Sequence, residues 1–240
     1  QQGDVVAYDE ARAITLTLNP TLINYIKNPS FEVDSTDWVL TGLTFSKDTN
    51  VPFEGYTGTY SGKFVAAGSW TLACSSKLPV EPGSYFNVSH YMYSPNMASM
   101  NAYIDLYDSS DNLVDSVQNT HDLTMTNSGM WMRDYTSILV PSTSTASYAK
   151  YRMQGTVGTL YLDMVMAEDT YKPTDYFDGS MPEEYGVVWA GTAHDSVSYL
   201  YPNKLTKLPR LANTMNEWLP TNTWWRINTL AGLEYTNLQV

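Results

Sequence analysis

The side chains best equipped for chemistry fall into three sets, and the first is acidic. Asp105, Asp108, Asp111 and Asp115 crowd a short stretch that a calcium loop or a pair of glycosidase carboxylates could draw on. The run lacks the Asp-x-Asp-x-Asp-Gly spacing and closing glutamate of an EF-hand loop. Glycosidase carboxylates must face each other across a cleft, which spacing along a chain does not show. The plainer reading is a solvated hairpin turn over Asp108-Ser109-Ser110-Asp111-Asn112, whose short polar side chains hydrogen-bond locally. The second set is nucleophilic or metal-binding. His90, His121 and His194 are scattered, and none sits near the serine and aspartate that a triad requires. Each is expected to be structural, His90 as a core imidazole. Cys74 is alone, so neither an intrachain disulfide nor a zinc pattern of paired cysteines is available, and a small buried thiol is expected. The chain is therefore expected not to be an enzyme.

The third set suits neutral polar ligands. Tyr91, Tyr93, Asp105, Tyr107, Arg152 and Gln154 occupy the polar, aromatic sides of alternating segments. Tyrosine faces take the C–H surfaces of sugars, while amides, carboxylates and guanidinium groups take their hydroxyls. In a two-sheet sandwich the six would lie across one sheet. The competing reading has these tyrosines facing solvent or a neighbouring subunit, because strands favour tyrosine for packing alone.

Positioning such residues is work for strands. Of 240 residues, 43% are hydrophobic and only 16% charged, and 19 tyrosines and 7 tryptophans stand among many Ser, Thr and Asn. SYFNVSHYMYS alternates strictly, with Phe86, Val88, His90 and Met92 on one face and Tyr85, Asn87, Ser89, Tyr91 and Tyr93 on the other. AYIDLYDSSDNLVDSV reads as a hairpin, and YTSILVP, SYAKYRMQG and TLYLDMVMA as further strands. In the last, Leu160, Leu162, Met164 and Met166 share a face, with Asp163 opposite, between Tyr161 and Val165. ITLTLNPTLINYI predicts two strands broken at Asn19-Pro20. Ahead of residue 200 no long amphipathic helix is evident, and the best helical candidate is LANTMNEWL, after it. Many short strands between Gly, Pro and Asp turns predict an all-β fold of two antiparallel sheets packed as a sandwich.

The net charge of −12, with no Lys/Arg cluster, argues against nucleic acid. No apolar run approaches the ~20 residues that span a bilayer, so membrane insertion is not expected. The chain opens on Gln1-Gln2 without an initiator methionine, as a processed product or a piece of a longer protein would.

The order of several pieces resembles a known family. NPSFE with Trp38 shortly after, Tyr60-Ser61-Gly62-Lys63, VEPGSYFNVSHYMYS, SGMWMRDYTSILVPSTSTASYAKYRMQG and GTLYLDMVMAED follow one another as in jelly-roll carbohydrate-binding modules, over about residues 24–170. That resemblance implies a structural calcium held by Glu32, Asp163 and backbone carbonyls around Ser61 to Lys63, with Phe31 and Trp38 in the core. Calcium takes six to eight oxygens and accepts carbonyls beside carboxylates. The sequence departs from the family at Asp163-Met164, where two aspartates are usual. The other reading of Glu32 is a carboxylate that only hydrogen-bonds the turn.

DYFDGSMPEEYGVVWAGTAHDSVSYLY, over 175–201, resembles the segment that follows such modules in minor tail proteins of tailed bacteriophages. Ala190 and Ala193 depart from the usual Thr/Ser and Pro. Asp178-Gly179 is expected to form a tight turn, and Trp189 with Phe177 to cover an open end of the sandwich. The implied organisation is an N-terminal arm over 1–23, the jelly roll over 24–170, a completing segment over 171–202 and a Trp- and Leu-rich C-terminal extension over 203–240. Both ends are expected to be assembly surfaces. The resemblance implies a non-enzymatic virion protein, associated with the phage tail or baseplate and present in multiple copies or as a homo-oligomer. Its expected partners are other virion proteins and host cell-surface polysaccharide. The alternative is a glycan-binding module of an extracellular polysaccharide-degrading enzyme.

Overall fold

The computed structural model describes residues 20–52, 58–124, 126, 130–182 and 185–201. The expected N-terminal arm up to residue 19, the helical candidate LANTMNEWL and the C-terminal extension lie outside the described residues. The described chain is all-β. Its strands are β1 (Leu22–Asn24), β2 (Trp38–Thr41), β3 (Thr44–Asp48), β4 (Ser61–Ala66), β5 (Trp70–Cys74), β6 (Leu78–Pro79), β7 (Tyr85–Tyr93), β8 (Ser99–Tyr107), β9 (Leu113–Asp122), β10 (Met132–Leu139), β11 (Tyr148–Gly155), β12 (Gly158–Glu168), β13 (Val187–Trp189) and β14 (Ser198–Leu200).

These strands form three antiparallel sheets. One has the order β10-β7-β12-β4-β3, a second β2-β5-β11-β8-β9 with β6 also on β11, and a small third β1-β14-β13. The two large sheets pack face to face as a jelly-roll sandwich. Period-2 alternation puts Phe86, Val88 and Met92 of β7, and Met100, Ala102, Ile104 and Leu106 of β8, into the shared core. The hairpin from β8 to β9 turns where the sequence predicted. Asp108 Oδ1 accepts the amides of Ser110 at 2.8 Å and Asn112 at 2.9 Å.

One alternation fails. Leu160 and Leu162 lie in the main core, but Met164 and Met166 belong to a second cluster, while Val165 and Ala167 turn inward instead. The register of β12 against β7 slips between Asp163 and Met166, and Met164 adopts a φ of 53°. This is a β-bulge: one extra residue moves all that follow it to the other face. The second cluster lies on the outer side of the five-stranded sheet, where Met164, Met166, Tyr176, Phe177, Met181 and Val187 pack with Leu22, Tyr91 and Leu200. The 171–201 segment therefore covers an outer sheet face rather than an open end. Leu22 and Ile23, expected in the arm, pair with Leu200 and Tyr199.

Asn24 ties this layer down. Its Nδ2 donates to the carbonyls of Val165 and Phe177, both at 3.3 Å, and its Oδ1 accepts the amides of Ile26 and Ala167, both at 3.1 Å. The peptide groups loosened by the bulge thus find partners in a buried place. Gly179 is required by contact: a Cβ there would stand 2.4 Å from the Trp189 backbone N.

Candidate functional site

The NPSFEVDSTDW stretch, from Asn28 to Trp38, forms a knot of turns. Asn28 Nδ2 donates to the carbonyls of Asp34 at 2.8 Å and Thr36 at 2.9 Å, and Trp38 Nε1 donates to the Asn28 carbonyl at 3.2 Å. The Pro29 carbonyl accepts the Val165 amide at 2.9 Å, linking the knot to the bulge. Phe31 and Trp38 are core residues, as expected, with ring centroids 5.3 Å apart.

Glu32, in this knot, and Asp163 lie close enough for the charge of one to act on the other. Glu32 Oε1 accepts the amides of Thr59 at 3.1 Å and Tyr60 at 3.0 Å, which is the turn-bonding role. Asp163 Oδ1 accepts the Met164 amide at 2.7 Å, but its Oδ2 is buried with no hydrogen-bond partner among protein atoms. Burial, helped by the charges of Glu32 and Asp178, holds the Asp163 carboxyl well above the usual carboxylate range. Such an orphaned oxygen suits either a proton or a cation. The side chains of Ser61 and Lys63 go elsewhere, Ser61 Oγ to the Asn50 carbonyl at 2.6 Å and Lys63 Nζ to Asp48 Oδ2 at 3.2 Å. Only their carbonyls remain as candidate ligands. Among the described residues, no group of three or more His, Cys, Asp or Glu side chains is gathered as a metal would need. The feature that a calcium ion would answer is the orphaned Asp163 Oδ2, which lies within reach of the Glu32 charge.

The six candidate glycan residues divide between two faces. Tyr91 and Tyr93 are on the outer side of the five-stranded sheet. There Tyr91 packs on the second cluster beneath the 171–201 segment, and Tyr93 stacks on Tyr161 with centroids 5.0 Å apart. Asp105, Tyr107, Arg152 and Gln154 share the outer side of the six-stranded sheet. The expectation that all six lie across one sheet is corrected by the topology, which assigns β7 to one sheet and β8 and β11 to the other.

The register of β11 against β8 builds the second face row by row: Tyr148 opposite Tyr107, Lys150 opposite Asp105, Arg152 opposite Tyr103, and Gln154 opposite Asn101. Tyr107 and Tyr148 stack with centroids 5.3 Å apart and planes 8° apart. The Arg152 guanidinium lies 3.7 Å from the Tyr103 centroid, while its Nε donates to Asp105 Oδ2 at 2.5 Å. Ser116 Oγ donates to the other Asp105 oxygen, also at 2.5 Å. Cation, carboxylate and ring hold one another in place, so little side-chain freedom remains to be lost on binding.

At the other end of the same face is a groove of about 390 Å³, lined by Thr41, Ser69, Trp70, Thr71, Asn101, Gln154, Gly155 and Thr156. Hydroxyls and amides share its wall about equally with apolar surface, the Trp70 indole included. Trp70 Nε1 is buried and lacks a partner among protein atoms. Gly155 lets that indole approach, since a Cβ there would stand 2.8 Å from Trp70 Nε1. Tyr103, Tyr148, Lys150 and the groove residues other than Gln154 escaped the sequence reading. Extending the alternation of β8 and β11 by one residue pair in each direction would have found several of them.

No family model and no curated protein sequence matches the chain. Among solved structures, the enzymatically active domain of tailspike protein 4 from bacteriophage CBA120 is similar over 60% of this chain and 21% of that one, at 20% identity with a TM-score of 0.51. This chain thus spans about a fifth of that structure's length. A family 16 carbohydrate-binding module is similar over 60% of this chain and 99% of its own, at 17% identity with a TM-score of 0.45. The CBM22-1 xylan-binding domain of Paenibacillus barcinonensis Xyn10C is similar over 65% of this chain and 100% of its own, at 12% identity with a TM-score of 0.43. At 20% identity the likeness to the tailspike domain is one of fold alone.

Proposed function

We propose that this chain is a non-catalytic glycan-binding jelly roll carried on the tail of a tailed bacteriophage, where it serves assembly and adhesion to host cell-surface polysaccharide. The observation that carries the binding role is the outer face of the six-stranded sheet. Its Tyr107 ring and the Arg152–Asp105 ion pair lead into a groove of hydroxyls, amides and the Trp70 indole, which together offer a sugar an aromatic edge and hydrogen-bond partners. The phage setting is supported by the 175–201 segment's resemblance to phage tail proteins and by the shared fold with a tailspike domain. Single weak sites gain avidity when copies are displayed together, so several copies per virion are expected. The same face would serve a module of an extracellular polysaccharide-degrading enzyme, which predicts plant or algal glycans as ligands.

The test is a pull-down of purified protein on bacterial surface polysaccharides and on plant and algal glycans. Tyr107→Ala should weaken retention about tenfold, as expected for loss of one aromatic sugar contact worth ~1.4 kcal/mol. Retention on bacterial polysaccharide alone supports the tail adhesin, retention on plant or algal glycans the enzyme module, and unchanged retention of the variant removes this face from consideration.

The structural calcium belongs to the same proposal. Glu32 and Asp163 would hold it, with carbonyls from the Ser61 to Lys63 stretch, and it would neutralise the buried Asp163 carboxylate. Calcium at about 100 times its dissociation constant should raise unfolding free energy by ~2.7 kcal/mol. Urea unfolding with calcium and with a chelator reads this directly. Asp163→Asn should abolish the difference; equal midpoints in the unsubstituted protein would leave Glu32 as a turn-bonding carboxylate and Asp163 as a neutral acid.

A further inference from the structure

Lys150 stands at the centre of the six-stranded face without a close ion pair, its charge felt by Asp111 only at longer range. The carboxylate directly opposite it in the ladder, Asp105, is occupied by Arg152 at 2.5 and 3.3 Å and by Ser116 at 2.5 Å. The next carboxylate, Asp111, takes Lys77 Nζ at 2.5 Å and the Tyr148 hydroxyl at 2.9 Å. The ion pairs among the described residues join Lys63 to Asp48, Lys77 to Asp111, His121 to Asp134 and Arg152 to Asp105, and none includes Lys150. Its ammonium instead lies 5.2 Å from the Tyr107 centroid and 6.0 Å from that of Tyr148.

We propose that this face takes an acidic glycan, with Lys150 reading the anionic group of a sugar that rests beside the Tyr107–Tyr148 stack. The proposal rests on the glycan-binding reading of the same face and names its ligand class. A neutral sugar gives an ammonium only hydroxyls, whereas a uronate carboxylate or a phosphate substituent gives it a full counter-charge and a charge-assisted hydrogen bond. An ammonium acts as a point charge and suits either anion, while the fork of Arg152 is already spent on Asp105. The polar groove beyond Gln154 would hold an adjoining neutral ring. A chain of net charge −12 repels a polyanion at long range. Screening over about 8 Å at physiological salt confines that repulsion and leaves the contact at Lys150 to decide.

Affinity electrophoresis tests this with polygalacturonate, its methyl ester, a glycerol-phosphate teichoic acid, neutral xylan and galactan, and isolated bacterial surface polysaccharide. The unsubstituted protein should be retarded by polygalacturonate or by teichoic acid, which separates the carboxylate from the phosphate, and the retardation should weaken with salt. Loss of the charge on esterification, or of the ammonium in Lys150→Met, should each cut affinity about tenfold. Lys150→Met should shift the unfolding midpoint little, since the ammonium has no close ion pair to lose and the methionine side chain can still pack on the Tyr107 ring. Equal retardation by neutral polymers and by the ester, unchanged in Lys150→Met, would overturn the anionic ligand and leave the glycan-binding reading standing. Retardation by none of the polymers, bacterial polysaccharide included, would overturn both.

Discussion

Phe31→Ala should lower the stability of the domain by about 3–5 kcal/mol, read as a shift of the urea midpoint at unchanged slope. The ring is fully buried and joins both sheets. Its centroid lies 5.3 Å from that of Trp38 in β2 of the six-stranded sheet, and 6.1 Å and 5.3 Å from those of Phe45 and Phe64 in β3 and β4 of the five-stranded sheet. Gly62 exists to admit it, because a Cβ at that position would stand 2.9 Å from Phe31 Cγ and 2.7 Å from Phe64 Cε2. The backbone at Phe31 has a φ of 56°, so alanine would keep the left-handed conformation while losing the packing that holds it. Phe31→Leu should cost less, since it refills part of the cavity. A cost below ~1 kcal/mol for the alanine variant would show that the sandwich collapses around the gap.

Much of this architecture is local and was therefore legible. The β8–β9 hairpin could be read from Asp108 and Asn112, and the inward set of β7 from its period of two, because both depend on residues a few positions apart. Phe31 and Trp38 could be placed in the core from the resemblance of their motif. What escaped reading depends on partners distant in sequence. The bulge at Met164 exists because Pro29 and Asn24 capture the peptide groups of Val165 and Ala167, and the alternation of β12 alone predicts the opposite face for Val165. Tyr91 and Tyr93 share with Tyr107 the parity of outward residues, but parity does not say which sheet a strand joins. Lys150 and Tyr103 were within reach, being in step with Arg152 and Tyr107 on their strands. They acquire meaning only from the cross-strand register that sets Lys150 against an already occupied Asp105.

Acid should destabilise this domain partly through His90, and the effect should vanish in His90→Asn. The imidazole is fully buried between the sheets, where Nδ1 shares a 2.9 Å hydrogen bond with the Tyr151 hydroxyl and Nε2 has no partner among protein atoms. Its ring meets that of His121 edge-on at 5.1 Å, and His121 is bound to Asp134 at 2.6 Å. Burial foremost, then the charge of His121 and that of Arg133, push the His90 pKa down to about 3, against the pull of Asp134. The unfolded chain takes up this proton near pH 6.5 and the folded one refuses it until about pH 3. The contribution is therefore fully present above pH 6.5 and is lost progressively as pH falls through that window, by at most ~4–5 kcal/mol at ~1.4 kcal/mol per pH unit. Asp134 adds to the loss at the acid end: burial raises its pKa, but the bond to His121 prevails and leaves it below the usual value. Glu168 and Asp169 act the other way, since burial raises both and favours the fold in acid. The informative quantity is thus the difference between two pH profiles of the urea midpoint, unsubstituted and His90→Asn, from pH 7 to pH 4. Converging profiles as pH falls place a neutral imidazole in the core; parallel profiles would mean that His90 takes its proton in the folded state and that the sandwich opens there to water.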